Sequence, residues 1–326
     1  MTCWLVKLNF YSPLHLGQDG IGMEKVDSYL RSDTLFGALC HALAAIYGRD
    51  AVDALLHDFN TGRPPFLLTS AFPYFKETFF LPKPLGPAPV SRERMEDVSY
   101  LKELNKLEFL SLEAFARWAK GKSVSPTEVK KIKETYACSR VYHLVPRVQL
   151  DRVTAASGIY YAGMIVFSPG AGLYCLIKSE NQEVIHGLEA AFRWLGETGL
   201  GGMRSLGLGL FEPEWQRAEG KWQLLLEDNK KAKTRCLLSL YHPSEKEINL
   251  SLNGSYYEII ERRGWSSSPF APGQVKRKSC RMFAEGSVLD YSPGGCLVNI
   301  TPEKWDAGRH RLYRYGYAFA VPVGVN

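Results

Sequence analysis

The sequence predicts an α+β fold of two units in tandem. Three observations carry this reading: helical and strand periodicities alternate through residues 1–217, strand-like segments with little helical periodicity fill 218–326, and a charged, turn-rich stretch at 217–233 separates the two. With 326 residues, 45% apolar and 23% charged, the chain is long enough for two packed cores.

Residues 3–10 (CWLVKLNF) are rich in aromatic and β-branched side chains and stop before Ser12-Pro13, which makes them the opening strand. A loop with Gly17, Gly20 and Gly22 follows. In SDTLFGALCHALAAIYG, Leu35, Leu39, Leu43 and Ile46 share one helical face, with Ser32 placed to cap the start and Gly48 just past the end. Seven prolines within residues 63–89 argue against regular structure, and the KPLGPAP run at 83–89 predicts an extended excursion. A charged helical patch comes next, and Ser125-Pro126-Thr127-Glu128 joins a capping box to a proline at the first helical position. After the polar, basic stretch 146–158, residues 159–167 and 172–178 read as paired strands, and 183–195 as an amphipathic helix closed by Gly196. A glycine-dense turn at 199–209 then runs into a strand at 208–215. The order βα, excursion, ββαβ is that of a ferredoxin-like unit carrying an insertion at about 63–157. Beyond the boundary, strands are expected at 235–241, 255–262, 279–283, 295–300 and 311–323, a degenerate second unit of the same kind.

Lys and Arg total 40 against 34 acids, a net charge of +6 that suits a polyanionic partner without requiring one. Its distribution is more telling. Residues 262–281 hold Arg262, Arg263, Lys276, Arg277, Lys278 and Arg281 with no acid, either a positive binding patch or a solvated loop. Seven cysteines with no C-x-x-C pair argue against a disulfide framework and a structural zinc, and for a reducing compartment. No apolar run approaches the roughly 18 residues that a membrane span needs, so a cytoplasmic protein is expected.

Glycines at 199, 201, 202, 207 and 209 surround Met203-Arg204-Ser205. Residues without a Cβ accept positive φ and let another backbone approach, so main-chain amides there can face a phosphodiester while Arg204 supplies charge. An irregular turn fits equally well, and neither a P-loop nor a dinucleotide fingerprint matches the spacing. His15, in a loop after the first strand, could titrate as a general base or merely sit as a polar loop residue. VPRVQLDRVTAAS places Arg147 and Arg152 among Tyr142, His143, Tyr160 and Tyr161, a cation-and-aromatic mixture that suits single-stranded nucleic acid or else a solvated hairpin. The tyrosines of RLYRYGYAFAVPV alternate like a half-buried strand and read as core.

Several strings coincide with one family: His15-Leu16-Gly17, Ser32-Asp33-Thr34-Leu35-Phe36, Leu81-Pro82-Lys83-Pro84, RVQLDR from Arg147 to Arg152, GLGGMRSLGLG, Arg263-Gly264-Trp265, Glu285-Gly286-Ser287 and Tyr313-Arg314-Tyr315-Gly316. The ordered set resembles the RAMP superfamily and, within it, the family of the fourth Csm subunit of type III-A CRISPR effector complexes; the glycine loop alone points only to the superfamily. The resemblance implies tandem ferredoxin-like (RRM-like) domains, divided at about 217/218, with an inserted β-hairpin thumb and a glycine-rich loop that hold the 5′ tag of the guide RNA (crRNA). It implies as partners the large polymerase-like Cas subunit and a backbone RAMP subunit, with no self-assembly of the chain, no cofactor and no metal. RNA cleavage and cyclic oligoadenylate synthesis would belong to those neighbours, leaving this chain without catalysis. Carried over by position, the candidates for RNA contact are His15, Lys83, Arg147, Arg152, Gly199, Gly201, Gly202, Met203, Arg204 and Ser205. The sheet aromatics of an ordinary RRM are not evident. The alternative is a RAMP-type endoribonuclease that processes precursor guide RNA, with His15 as acid or base beside Tyr11 or Lys83, and it requires those groups to converge.

Overall fold

A computed structural model of the chain describes residues 2–17, 23–90, 97–227, 232–265, 275–303, 305 and 310–324. It opens with β1 (Thr2–Phe10), α1 (Ser32–Tyr47) and α2 (Arg49–Asn60), followed by three short strands, β2 (Leu67–Leu68), β3 (Phe72–Phe75) and β4 (Thr78–Pro82). Next come α3 (Val98–Asn105), β5 (Phe109–Ser111), α4 (Leu112–Trp118) and α5 (Pro126–Cys138), then β6 (Arg140–Leu150), β7 (Ser157–Phe167), β8 (Ala171–Ser179), α6 (Gln182–Thr198) and β9 (Phe211–Arg217). After α7 (Lys221–Leu226) the described residues hold only strands: β10 (Thr234–Leu237), β11 (Ile259–Arg262), β12 (Cys280–Phe283), β13 (Val288–Leu289), β14 (Leu297–Asn299), β15 (Tyr313–Tyr315) and β16 (Ala320–Val323).

The main sheet runs β5-β4-β3-β8-β1-β9, with β2 also on β8, and every pairing is antiparallel. Because strand side chains alternate, each face buries its own set. On β8, Leu173, Cys175 and Ile177 face α1 and α6, while Tyr174 and Leu176 face the opposite layer, which includes residues of α3, α4, α5 and α7. Both layers take residues from the second half as well: Phe319, Val321 and Val323 enter one, Tyr315 and Tyr317 the other. The two large clusters thus follow the two faces of one sheet, not the two halves of the chain. A smaller cluster around Tyr241, Phe283 and Leu289 belongs to the second half alone.

Several expectations are corrected. The proline-rich stretch is not without regular structure: it supplies β2, β3 and β4 of the main sheet, with Phe72 and Phe80 fully buried, while the KPLGPAP run at 83–89 lies outside any strand or helix. Its prolines occupy tolerated places, since Pro73 lies where β3 pairs with β8 alone and Pro82 is the last residue of β4. The residues after 159 do not pair with β8; β7 pairs with β6 from Arg140↔Phe167 to Leu150↔Ser157, in a separate two-stranded sheet that includes Pro146. Gly196 does not close α6. The helix runs on to Thr198 and is closed by Gly199 at φ +86°, while a Cβ at Gly196 would overlap the Phe211 carbonyl of β9, so this glycine sets how closely helix and strand approach. Ser32 is the first helical residue, not a cap: its hydroxyl accepts the Leu240 amide at 3.0 Å from the second half. The last expected strand is two, β15 and β16, and α2 adds a helix the periodicity does not announce. The Ser125 capping box and the proline start of α5 are as expected. Gly20 and Gly22, and parts of 217–233 and 262–281, lie outside the described residues.

Candidate nucleic-acid interface

The glycine loop is shaped from within. Gly199, Gly201, Gly207 and Gly209 all have positive φ, as does Met203, and Arg204–Leu206 forms a single 3-10 turn between them. The loop is tied to the segment after β1: the Gly202 amide donates to the His15 carbonyl at 2.9 Å, and the Gly209 amide to the Pro13 carbonyl at 2.8 Å. A Cβ at Gly201 would stand 2.5 Å from the His15 carbonyl oxygen, one at Gly202 2.7 Å from the His15 ring, and one at Gly209 would overlap the Leu200 carbonyl. The close approach inferred from the glycines is therefore made first by the chain's own backbone.

His15 is buried, at 5% exposure, not displayed on a loop. Its Nδ1–H donates to the Gly163 carbonyl of β7 at 2.7 Å. Tyr11 is exposed and does not share the cleft that His15 lines. The ammonium of Lys83 donates to the Leu104 and Asn105 carbonyls at 3.1 and 2.9 Å, at the C-terminus of α3, and burial pushes its pKa down. His15, Tyr11 and Lys83 do not converge.

The loop forms one wall of a cleft of about 510 Å³ between the two halves of the chain. His15, Gly199, Gly201, Gly202 and Arg204 line one side; Arg262, Arg263, Trp265, Arg277, His310 and Arg311 line the other. Arg31 and Arg314 complete seven arginines against two acids, Asp27 and Asp33. Some of these cations are structural. Asp33, at the start of α1, is fully buried between Arg262, with Nε to Oδ2 at 3.0 Å, and Arg314, which also bonds it directly. Burial would raise the Asp33 carboxyl, but the two guanidiniums hold it well below the usual carboxylate range. Arg31 is likewise clasped to buried Glu285 at 2.7 Å, where Tyr29 and Ser70 also donate. Others are not: among the described residues Arg204 and Arg311 are exposed and have no carboxylate partner. Arg204 lies near His41, whose pKa is lowered by burial and then by that guanidinium.

Met203 turns the other way, packing with Val145, Tyr160, Met164 and Leu208 midway along the β6–β7 hairpin. From there the ribbon extends with Val148, Leu150, Ile159 and Tyr161 exposed and Val153 at 94% exposure. Its turn is set by Asp151, whose Oδ1 accepts the Val153 and Thr154 amides at 2.8 Å each. Arg147 is half-buried on β6 opposite Tyr160, and Arg152 is exposed in the turn. The structure thus brings His15 and residues 199–205 together, places Arg147 and Arg152 on the adjoining ribbon, and sets Lys83 apart. Sequence reasoning about single motifs missed Arg31, His41 and Arg311 as cleft residues, since each is an isolated polar residue far in sequence from the loop it faces.

Two family models match the chain, the RAMP superfamily over residues 7–212 and the CRISPR Csm4 C-terminal domain over 230–323. A Csm4 protein of Thermococcus onnurineus is 33% identical over 303 residues, covering 90% of this chain and 91% of its own. Among solved structures, a Csm1–Csm4 cassette in complex with cA4 aligns at a TM-score of 0.66 and 25% identity, over 100% of this chain and 99% of that one. A Csm3–Csm4 subcomplex of the type III-A CRISPR-Cas interference complex aligns at 0.67 and 20% identity over the whole of both chains, a likeness of fold.

Proposed function

The chain belongs to the Csm4 family within the RAMP superfamily, and from that premise we propose that it is a non-catalytic subunit that holds the 5′ tag of the guide RNA in a type III-A effector complex. The observation that carries this is the cleft in which the glycine loop and the exposed Arg204 face the basic wall of the second half. Phosphates need positioned cations, and a site that meets only the backbone takes any sequence. On this reading β1, α1, β3, β8, α6 and β9 form a ferredoxin-like unit, with strands ordered β9-β1-β8-β3, and the β6–β7 hairpin is its thumb. His15 acts by fixing the loop, Arg147 and Arg152 extend the RNA path along the hairpin, and residues 218–326 are a second, sheet-rich domain. The solved assemblies of relatives with Csm1 and with Csm3 support a large subunit and a backbone RAMP subunit as the protein partners.

An endoribonuclease would need an acid and a base at one bond. With His15 buried against Gly163, Lys83 bound at the end of α3 and Tyr11 outside the cleft, that set is not assembled. The test is the salt dependence of RNA binding by the full chain. Arg204→Ala should weaken binding of all single-stranded RNAs alike and reduce the slope of log K against log salt by about 0.7, one phosphate's worth. Unchanged affinity and slope would overturn the reading, as would specific cleavage of a repeat RNA that disappears in His15→Ala.

A further inference from the structure

One cleft side chain is explained neither by the arginine clasps nor by the glycine loop. Trp265 lines the cleft with 60% of its surface exposed, whereas an indole in a folded chain is usually buried in large part. Its mounting is nevertheless firm. Trp265 makes an antiparallel bridge with Lys276, and the Arg277 amide donates to the Gly264 carbonyl at 2.9 Å. Gly264 has φ +139°, and a Cβ there would stand 2.7 Å from the Arg277 guanidinium, so glycine is what lets that cation lie across the strand next to the indole. Three residues earlier, Arg262 is anchored on buried Asp33.

The indole is therefore held out into a cationic cavity by a strand fixed on both sides. Cations alone would serve any polyanion. An open aromatic face beside them is what an unpaired base requires, because every base has a flat surface to stack while its phosphate meets the charge. We propose that Trp265 is the stacking platform for one unpaired base of the RNA in the cleft, selecting a flat base without selecting its identity. This rests on the reading of the cleft as an RNA site.

The test uses the full chain as wild type, Trp265→Ala, Trp265→Phe and Arg204→Ala, titrated with single-stranded repeat-derived RNA carrying 2-aminopurine at each position in turn. At one position the wild type and Trp265→Phe should quench the fluorophore and Trp265→Ala should not. Trp265→Ala should weaken binding about 5- to 100-fold with the salt slope unchanged, and an abasic RNA at that position should bind wild type and Trp265→Ala equally. Matching thermal melts exclude a folding defect, and Trp265→Phe, which keeps an aromatic face, supplies a second variant. If Trp265→Ala binds and quenches like wild type while Arg204→Ala still weakens binding and flattens the slope, the platform is wrong and the RNA cleft stands. If neither variant alters RNA binding, the cleft is not the RNA site and the platform falls with it.

Discussion

The glycine loop and the β6–β7 hairpin both drew attention as places for RNA, yet they are held in opposite ways. The loop is fixed from inside, its amides bonded to Pro13 and His15 and its glycines pressed against carbonyl oxygens and an imidazole ring. The hairpin is packed as far as Val145 and Tyr160, and beyond them Val148, Leu150, Val153 and Ile159 are exposed. The difference teaches that unusual composition can answer an inward or an outward demand. Glycines in the loop are required by the chain's own packing, whereas Val148, Leu150, Val153 and Ile159 on the ribbon are exposed among the described residues and suit a surface outside the chain.

The largest test of that contrast is Gly209→Val. A branched side chain in a left-handed position, overlapping the Leu200 carbonyl, should cost about 3–5 kcal/mol, seen as a fall in Tm or loss of soluble protein. A wild-type melt would mean that the loop is not internally fixed and would erase the distinction. Next is Asp33→Asn, which leaves two buried guanidiniums without their counter-charge and should cost about 3 kcal/mol near neutral pH. Since the folded carboxyl is held below its unfolded value, its stabilisation is complete above about pH 4 and is lost as pH falls through the folded pKa. Urea midpoints of wild type should therefore decline on the acid side more steeply than those of the variant, and parallel curves would reject the clasp. Lys83→Ala should cost about 1 kcal/mol through the lost helix-end hydrogen bonds, and a change in RNA affinity beyond that would return Lys83 to the RNA path. Replacing residues 146–157 with a Gly-Ser turn should move stability least, within about 0.5 kcal/mol, while weakening guide retention in the assembled complex. An insoluble product would place the ribbon in the core and reverse the comparison.

How much of this was legible follows from where the information sits. The opening strand, the α1 helix with Leu35 and Leu39 buried, and the Ser125 cap are written in neighbouring residues and appear as read, although Ile46 at the end of the α1 face is exposed. The proline-rich strands were missed because proline content speaks against strands in general, while edge and end positions, which tolerate it, are decided by the sheet. Gly196 reads as a stop signal because its partner, the Phe211 carbonyl, is supplied by a different element. The cleft was half legible: the basic run and the loop stand out, but that Arg262 and Arg314 close on Asp33 while Arg204 does not depends on contacts across more than 200 residues of sequence.

The placing of β16 bears on how the protein is made. Phe319, Val321 and Val323 fill the same apolar layer as Leu5, Phe72 and Leu176, and β16 pairs with β10 in that layer. A ribosome delivers the main sheet and the helices α3, α4, α5 and α7 that pack on this face before it delivers β16, so only the part of the layer that Phe319, Val321 and Val323 fill stays open to the end of translation. Until then the nascent chain presents an unfilled apolar gap in that layer, and a premature stop before Phe319 would leave the gap open.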